Sequence, residues 1–465
     1  MVSLIKSVRE HVKEASEGSI DVSEFLHKTA EDCKKIQKEY SPFITINERP
    51  GTPKGKGELY ALPISVKDCI CTAGIRTTAG SKILENYIPP FDATCIAKAK
   101  ECGALIIGKT AQDEFGFGTF STNCAYSVPK NPFDKSRTCG GSSGGAACLT
   151  AAAEFPHIAI AESTGGSITA PASFTGTVGL TPTYGRVSRY GLIDYSNSMD
   201  KIGIIAKSVD DAALGLSVIA GYDPLDSTSS KHEEDFMEYT SKEVKGMNIG
   251  IPIEYFSDNV DKRISKLVRK RIDGLESMGA TCTEMSLPLT EYAMPAYYLI
   301  AVSEASTNLA KYCGIRYGLQ EHAAGNFDAY FSEIRSKAFG DEAKRRIILG
   351  TYARMAGLRD AYYLKALRAR SLIVKEFKKA FNGLDALVAP SMPILPPTFS
   401  EIEGLSPAKQ YSMDILTTPS NLACLPTISV NAGFANELPV GIQIIGDHFS
   451  ESKVIALGKA IEECT

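Results

Sequence analysis

The sequence predicts an α/β protein built on a large mixed, mostly parallel sheet covered by helices on both faces. Two observations carry that prediction. Short apolar runs with strand character alternate with segments whose apolar residues recur at helical spacing, the pattern of a sheet with helical crossovers. The chain is also long enough, at 465 residues with 44% hydrophobic content, to bury a large core, and it has no internal repeat, low-complexity tract or long linker.

Residues 1–50 read as peripheral N-terminal helices. Leu4, Val8 and Val12 line one stretch, and Val22, Phe25, Leu26, Ala30 and Cys33 line a second after the break at Gly18–Asp21. Residues 51–245 form the central unit. Within it, Leu59–Val66 reads as a strand, Ala93–Cys102 as a helix and Ala104–Gly108 as a buried strand. Gly144–Ala153 reads as a small-residue helix leading to the strand Ile158–Ala161. Such alternation implies a parallel or mixed sheet with both faces covered.

Residues 246–290 read as a strand–helix–strand module. Met247–Ile253 precedes a helix on which Ile264, Leu267, Val268, Ile272, Leu275 and Met278 recur, and Ala280–Leu287 follows. Residues 291–465 complete the sheet. They hold a helical stretch of roughly Glu342–Phe381 carrying Arg345, Arg346, Tyr352, Arg354, Arg359 and Tyr362, then the strand Ala386–Pro390. The segment Asp414–Leu425 and a hairpin-like pair, Thr427–Ala432 with Val440–Ile445, end the pattern.

Composition excludes several classes. A net charge of −4 gives no global basic bias for nucleic acid. The N-terminus has no signal-peptide core and no 18-residue apolar run occurs, so a cytoplasmic location without membrane contact is expected. The 12 cysteines are scattered, with one Cys-x-Cys (Cys69, Cys71) and no Cys-x-x-Cys, so reduced thiols are expected. None of the six histidines has metal-ligand spacing, and no metal is expected.

A hydrolase short of histidine needs another base. Lys67 lies in Ala61-Leu62-Pro63-Ile64-Ser65-Val66-Lys67-Asp68, a largely apolar run that could bury its amine and favour the neutral, basic form. Downstream come two Gly/Ser clusters, Cys139-Gly140-Gly141-Ser142-Ser143-Gly144-Gly145 and Glu162-Ser163-Thr164-Gly165-Gly166-Ser167. Each sets hydroxyls beside unhindered backbone N–H groups, as acyl transfer requires of a nucleophile and an oxyanion site. Either cluster alone reads best as a flexible loop, and Lys67 alone as a surface lysine. All three within about 100 residues, in the order Lys, Ser, Ser, read better as an amide hydrolase.

Two other motifs fail on context. Gly141-Ser142-Ser143-Gly144-Gly145 matches G-x-S-x-G, yet polar, turn-like residues (131–137) precede it where that motif needs a strand. No Gly-Lys-Ser/Thr closes either glycine run, which removes the phosphate-loop reading. Cys139 has no histidine near it in sequence and reads as structural.

The residues resemble the amidase signature family along nearly the whole chain. Leu62-Pro63-Ile64-Ser65-Val66-Lys67-Asp68, Gly140–Gly145, Thr164-Gly165-Gly166-Ser167-Ile168 and Leu438-Pro439-Val440-Gly441-Ile442-Gln443 carry the likeness. The resemblance implies the amidase signature fold. It also implies Ser167 as nucleophile, Ser142 as a bridging serine held by a cis peptide, Lys67 as general base, and the N–H groups of Thr164, Gly165, Gly166 and Ser167 as the oxyanion site. The spacing between the two clusters leaves Ser143 as the alternative bridging serine.

Within the family, Ser303–Leu309, Gly314–Gly318, Lys344–Thr351 and Asp414–Thr417 resemble the branch that draws ammonia from glutamine to amidate glutamyl- or aspartyl-tRNA. That likeness implies Arg346 on the α-carboxylate of L-glutamine, Asp414 on its α-amino group and Tyr297 at the pocket mouth. It implies no cofactor in this chain. Its implied partners are a B subunit that binds tRNA and uses ATP with Mg, and a small C subunit. A stand-alone amidase on small amides is the alternative, and a non-catalytic scaffold is a third reading that Lys67, Ser142 and Ser167 disfavour.

Overall fold

The computed structural model describes residues 6–238, 244–322 and 325–464; Leu4 of the expected first helix lies outside them. Thirteen strands occur among the described residues. The first eight are β1 (Phe43–Ile46), β2 (Pro63–Lys67), β3 (Leu105–Thr110), β4 (Lys130–Asn131), β5 (Asp134–Thr138), β6 (Ile158–Ser163), β7 (Val178–Thr181) and β8 (Lys201–Ala206). They are followed by β9 (Asn248–Pro252), β10 (Thr281–Met285), β11 (Ala386–Pro390), β12 (Thr427–Ala435) and β13 (Leu438–Gly446). Eleven form one sheet in the order β1-β3-β2-β6-β8-β7-β12-β13-β11-β9-β10, while β4 and β5 pair separately.

The sheet is mixed, as expected, but the balance differs from the prediction. Six of its ten pairings are antiparallel; the parallel ones are β2 with β3, β2 with β6, β9 with β10 and β9 with β11. Parallel neighbours need a crossover. Helices Thr94–Glu101 and Lys262–Ser277 supply it between β2 and β3 and between β9 and β10. Alternation of strand and helix elsewhere carries no information on direction.

Two further differences have local causes. The N-terminal segment is not only helical, because Phe43-Ile44-Thr45-Ile46, after the helix Val22–Tyr40 and its cap Ser41 at φ 59°, joins the sheet edge as β1. The long helical stretch is two helices, Asp341–Ala353 and Lys365–Ala380, with a π-helical turn at Asp360–Leu364. Gly357, at φ +83°, separates them.

Strands β2, β6 and β8 are buried along their whole length. Against them lies helix Gly144–Ala152, and beside it helix Thr169–Thr175 packs on β7, β12 and β13; both are rich in Gly, Ala, Ser and Thr, whose small side chains bring backbone close to the sheet. In a second helical layer, Ala293–Asn308 packs on Asp341–Ala353 and Lys365–Ala380.

Candidate active site

The central strands deliver three groups to one place. Lys67 is the last residue of β2, and its buried amine donates to Ser142 Oγ (2.7 Å), the Glu162 carbonyl (2.9 Å) and Glu162 Oε2 (2.8 Å). Ser142 follows a cis peptide at Gly141–Ser142, just before the helix Gly144–Ala152. Ser143 points elsewhere, its hydroxyl donating to the Glu162 carbonyl (3.0 Å) and its N–H to the Ser167 carbonyl (3.2 Å). Of the two candidate bridging serines, Ser142 is therefore the one on Lys67.

Ser167 sits two residues before the helix Thr169–Thr175 and is 8% exposed. It lines a pocket with Gly116, Gly165, Tyr297, Tyr298, Arg346 and Asp414. Gly116, another residue of that lining, also borders the Ser142 hydroxyl, which a Cβ there would meet at 3.5 Å.

The glycine loop before Ser167 is clamped. Thr417 Oγ1 donates to the Gly165 carbonyl (2.9 Å), and the Gly166 N–H donates to Ser163 Oγ (3.2 Å). Gly166 adopts φ +138°, and a Cβ there would stand 2.1 Å from Thr417 Oγ1. One expectation changes. The family likeness assigns the Gly166 amide to the oxyanion, but that amide is spent on Ser163 inside the loop.

The opposite wall carries fixed charges. Arg346, on the helix Asp341–Ala353, is buried; its Nε donates to Glu342 Oε1 at 2.8 Å and its Nη1 bonds the Tyr195 hydroxyl. Its guanidinium lies 5.1–5.5 Å from the rings of Phe117, Tyr195, Tyr298 and Tyr411. Asp414 accepts from Thr119 (2.8 Å) and the Tyr298 hydroxyl (3.2 Å), and burial pushes its carboxyl up to about 7. Tyr297 is buried rather than standing at an open mouth. Its ring abuts Gly165 so closely that a Cβ there would be 2.6 Å from it. The pocket is left with ≈ 10 Å³, about one water.

Sequence reasoning missed several participants. Glu162 pairs with Lys67 at 2.8 Å, and Thr164 Oγ1 contacts both Glu162 Oε1 (2.7 Å) and Asp200 Oδ1 (2.8 Å). Asp200 also accepts the N–H groups of Tyr195 and Ser196, while burial and the Glu162 charge push its carboxyl well up. One signal could have found Glu162, an acid ending an apolar strand inside a Gly/Ser cluster. Cys139 is buried and burial pushes its thiol up, which makes it a poor nucleophile. Among the described residues no group of three or more His, Cys, Asp or Glu side chains is arranged to hold a metal ion, and no helix is long and apolar enough to cross a membrane.

A family model described as Amidase matches residues 9–455. The chain belongs to the amidase family. This agrees with the likeness read from the motifs. Within the family the chain is similar to the A subunit of the glutamyl-tRNA(Gln) amidotransferase of Carboxydothermus hydrogenoformans, at 45% identity over 474 residues, covering 99% of this chain and 96% of that one. It is 48% identical over 410 residues to the protein of the same name from Methanococcoides burtonii, covering 88% and 86%. The crystal structure of the corresponding Thermotoga maritima protein matches this amidase with a TM-score of 0.86 at 36% identity, covering 100% of this chain and 96% of that one.

Proposed function

We propose that this amidase is the glutamine-hydrolysing subunit of a tRNA-dependent amidotransferase, releasing ammonia from L-glutamine for the amidation of glutamyl-tRNA(Gln). One observation carries the reading: a buried cation, Arg346, and a carboxylate, Asp414, line the same small pocket as Ser167. A free amino acid is a zwitterion, and it needs one fixed charge of each sign. An Arg fork suits its α-carboxylate, and Asp414 its α-ammonium. A simple aliphatic amide has no use for either.

In this reading Ser167 Oγ attacks the carboxamide carbon and passes its proton to Ser142, which passes its own toward Lys67. The amides of Thr164, Gly165 and Ser167 receive the oxyanion. Ammonia leaves with a proton returned along the same path, and water then hydrolyses the acyl-Ser167. The names of the relatives support glutamyl-tRNA(Gln) as acceptor and a multi-subunit assembly. Binding of tRNA, and use of ATP with Mg, belong to a partner protein, with a small third component completing the complex.

Trapping tests the chemistry. An electrophilic glutamine analogue should leave its adduct on Ser167; an adduct on Ser143 or Cys139 overturns the assignment. The assembled complex tests the role. Ser167→Ala should block glutamine-dependent amidation of glutamyl-tRNA(Gln) yet allow amidation from ammonium chloride. Failure with free ammonium, or a wild-type preference for short aliphatic amides over glutamine, refutes the reading.

A further inference from the structure

Taken as the ammonium, the Lys67 amine is saturated. An ammonium has three N–H bonds, and the three contacts with Ser142 Oγ, the Glu162 carbonyl and Glu162 Oε2 use all of them. In that state it has no lone pair for the proton of Ser142. A base so placed must first give a proton away, and the group in position to take it is the Glu162 carboxylate at 2.8 Å.

The other side of Glu162 fixes the proton inventory. Thr164 Oγ1 lies within hydrogen-bond distance of two carboxyl groups, 2.7 Å from Glu162 Oε1 and 2.8 Å from Asp200 Oδ1. A hydroxyl has one proton, so it donates to one carboxyl and must accept from the other. The Glu162 and Asp200 pair therefore holds one proton between them. Burial and the neighbouring Glu162 charge favour the protonated form of Asp200. Glu162 Oε1 then receives the Thr164 hydroxyl while its Oε2 faces Lys67.

We propose that Glu162 is the proton acceptor behind Lys67, so that Lys67 relays the proton and Glu162 holds it while the acyl-enzyme forms. The inference rests on Ser167, Ser142 and Lys67 forming the path proposed above. The Ser167 O–H bond breaks as the Oγ–carbon bond forms. The Lys67 proton facing Glu162 Oε2 moves there first, a turn about the Cε–Nζ bond brings the freed lone pair to Ser142, and the Ser142 proton joins Lys67 Nζ as the Ser167 proton joins Ser142 Oγ. The reverse sequence protonates the leaving nitrogen, so the network ends as it began. Glu162 touches no substrate and acts as a positioning and proton-holding residue through Lys67.

The competing role is a plain counter-ion, and it predicts the opposite sign. A counter-ion only holds Lys67 as the ammonium, so removing its charge frees the amine and leaves the rate at or above wild type. Steady-state glutamine hydrolysis by the full chain, co-purified with any partners, separates the two. Glu162→Gln can still accept from Lys67 and donate to Thr164, and it should lower kcat roughly 100-fold with the KM for L-glutamine within about threefold. Glu162→Asp, which keeps the carboxylate, should recover about tenfold of that loss. A Glu162→Gln enzyme as fast as wild type overturns the proposal. So does a Glu162→Asp enzyme as slow as Glu162→Gln, because the loss then tracks packing rather than charge. If Lys67→Ala and Ser142→Ala both turn over normally, the underlying path fails instead, and the two failures are told apart.

Discussion

The floor of the pocket comes from the ends of neighbouring strands and the loops that leave them, whereas its wall comes from helices and a helical turn. On the floor, Lys67 ends a strand with no exposed residue, and Ser142 and Ser167 precede helices whose residues are almost all buried. The wall draws Tyr297 and Tyr298 from one helix, Arg346 from another and Asp414 from a short turn. A floor of this kind holds reacting atoms at fixed distances. A wall of separate helices can vary its charges and rings without disturbing the chemistry. In the proposed mechanism, bond-making and substrate choice are thus lodged in different layers.

Removing floor residues should do the most damage. Ser167→Ala and Lys67→Ala are each expected to lower kcat for glutamine by ~10⁴-fold or more, since members of one proton path fail together. A Lys67→Ala enzyme with substantial activity would dissolve the distinction at once. Ser142→Ala should cost ~10³-fold and Ser143→Ala no more than ~10-fold, because only Ser142 contacts Lys67. The reverse order would move the bridge to Ser143.

Wall variants should instead act on KM. Arg346→Ala and Asp414→Asn each remove a charge-assisted bond to a group remote from the carboxamide, worth about 1.5–3 kcal/mol, so KM should rise ~10–100-fold with kcat nearly kept. Hydrolysis of propionamide, which carries neither charge, should stay at its wild-type level. A large loss of kcat in either variant would show that wall and floor are one unit.

A pH series sharpens the same contrast. The carboxyl of Asp414 is raised to about 7, so it carries its charge above that value and loses it below. The α-ammonium of glutamine needs the charged form. KM should therefore climb as pH falls through about 7, and Asp414→Asn should flatten that climb. The smallest effect concerns Glu114, which joins the two regions by bonding Ser81 and accepting the Gly340 N–H (2.9 Å) at the start of the Arg346 helix. Burial raises its carboxyl from 4.5 to about 7. A raised folded-state value means that its stability contribution is full below the ordinary value and is lost as pH rises through about 7. Thermal melts of Glu114→Gln should lose that decline.

Legibility in the sequence divides along the same line. Lys67 and the two Gly/Ser clusters stand out because each carries its own local pattern, a lysine ending an apolar run and Gly/Ser turns before small-residue helices, so a local reading of strand, turn and helix finds them. Sequence favours Ser142 over Ser143 only through the family likeness, because adjacent serines share every local signal, and the contact with a lysine 75 positions away singles out Ser142. Asp200 and Thr417 carry no local mark. Asp200 meets Thr164 across 36 positions and Thr417 meets Gly165 across 252, contacts set by the order of strands in the sheet. The excess of antiparallel pairing escapes a sequence reading for a related reason: crossovers are local, but the side-by-side order of distant strands is not.

The peptide between Gly165 and Gly166 is tied at both ends, its carbonyl to Thr417 and its N–H to Ser163. A peptide held in this way cannot turn over to hide or reveal its neighbours' amides. An oxyanion site in this loop, as proposed above, is then assembled before substrate arrives. Entry meets a narrower limit, a buried Tyr297 ring beside a space for about one water.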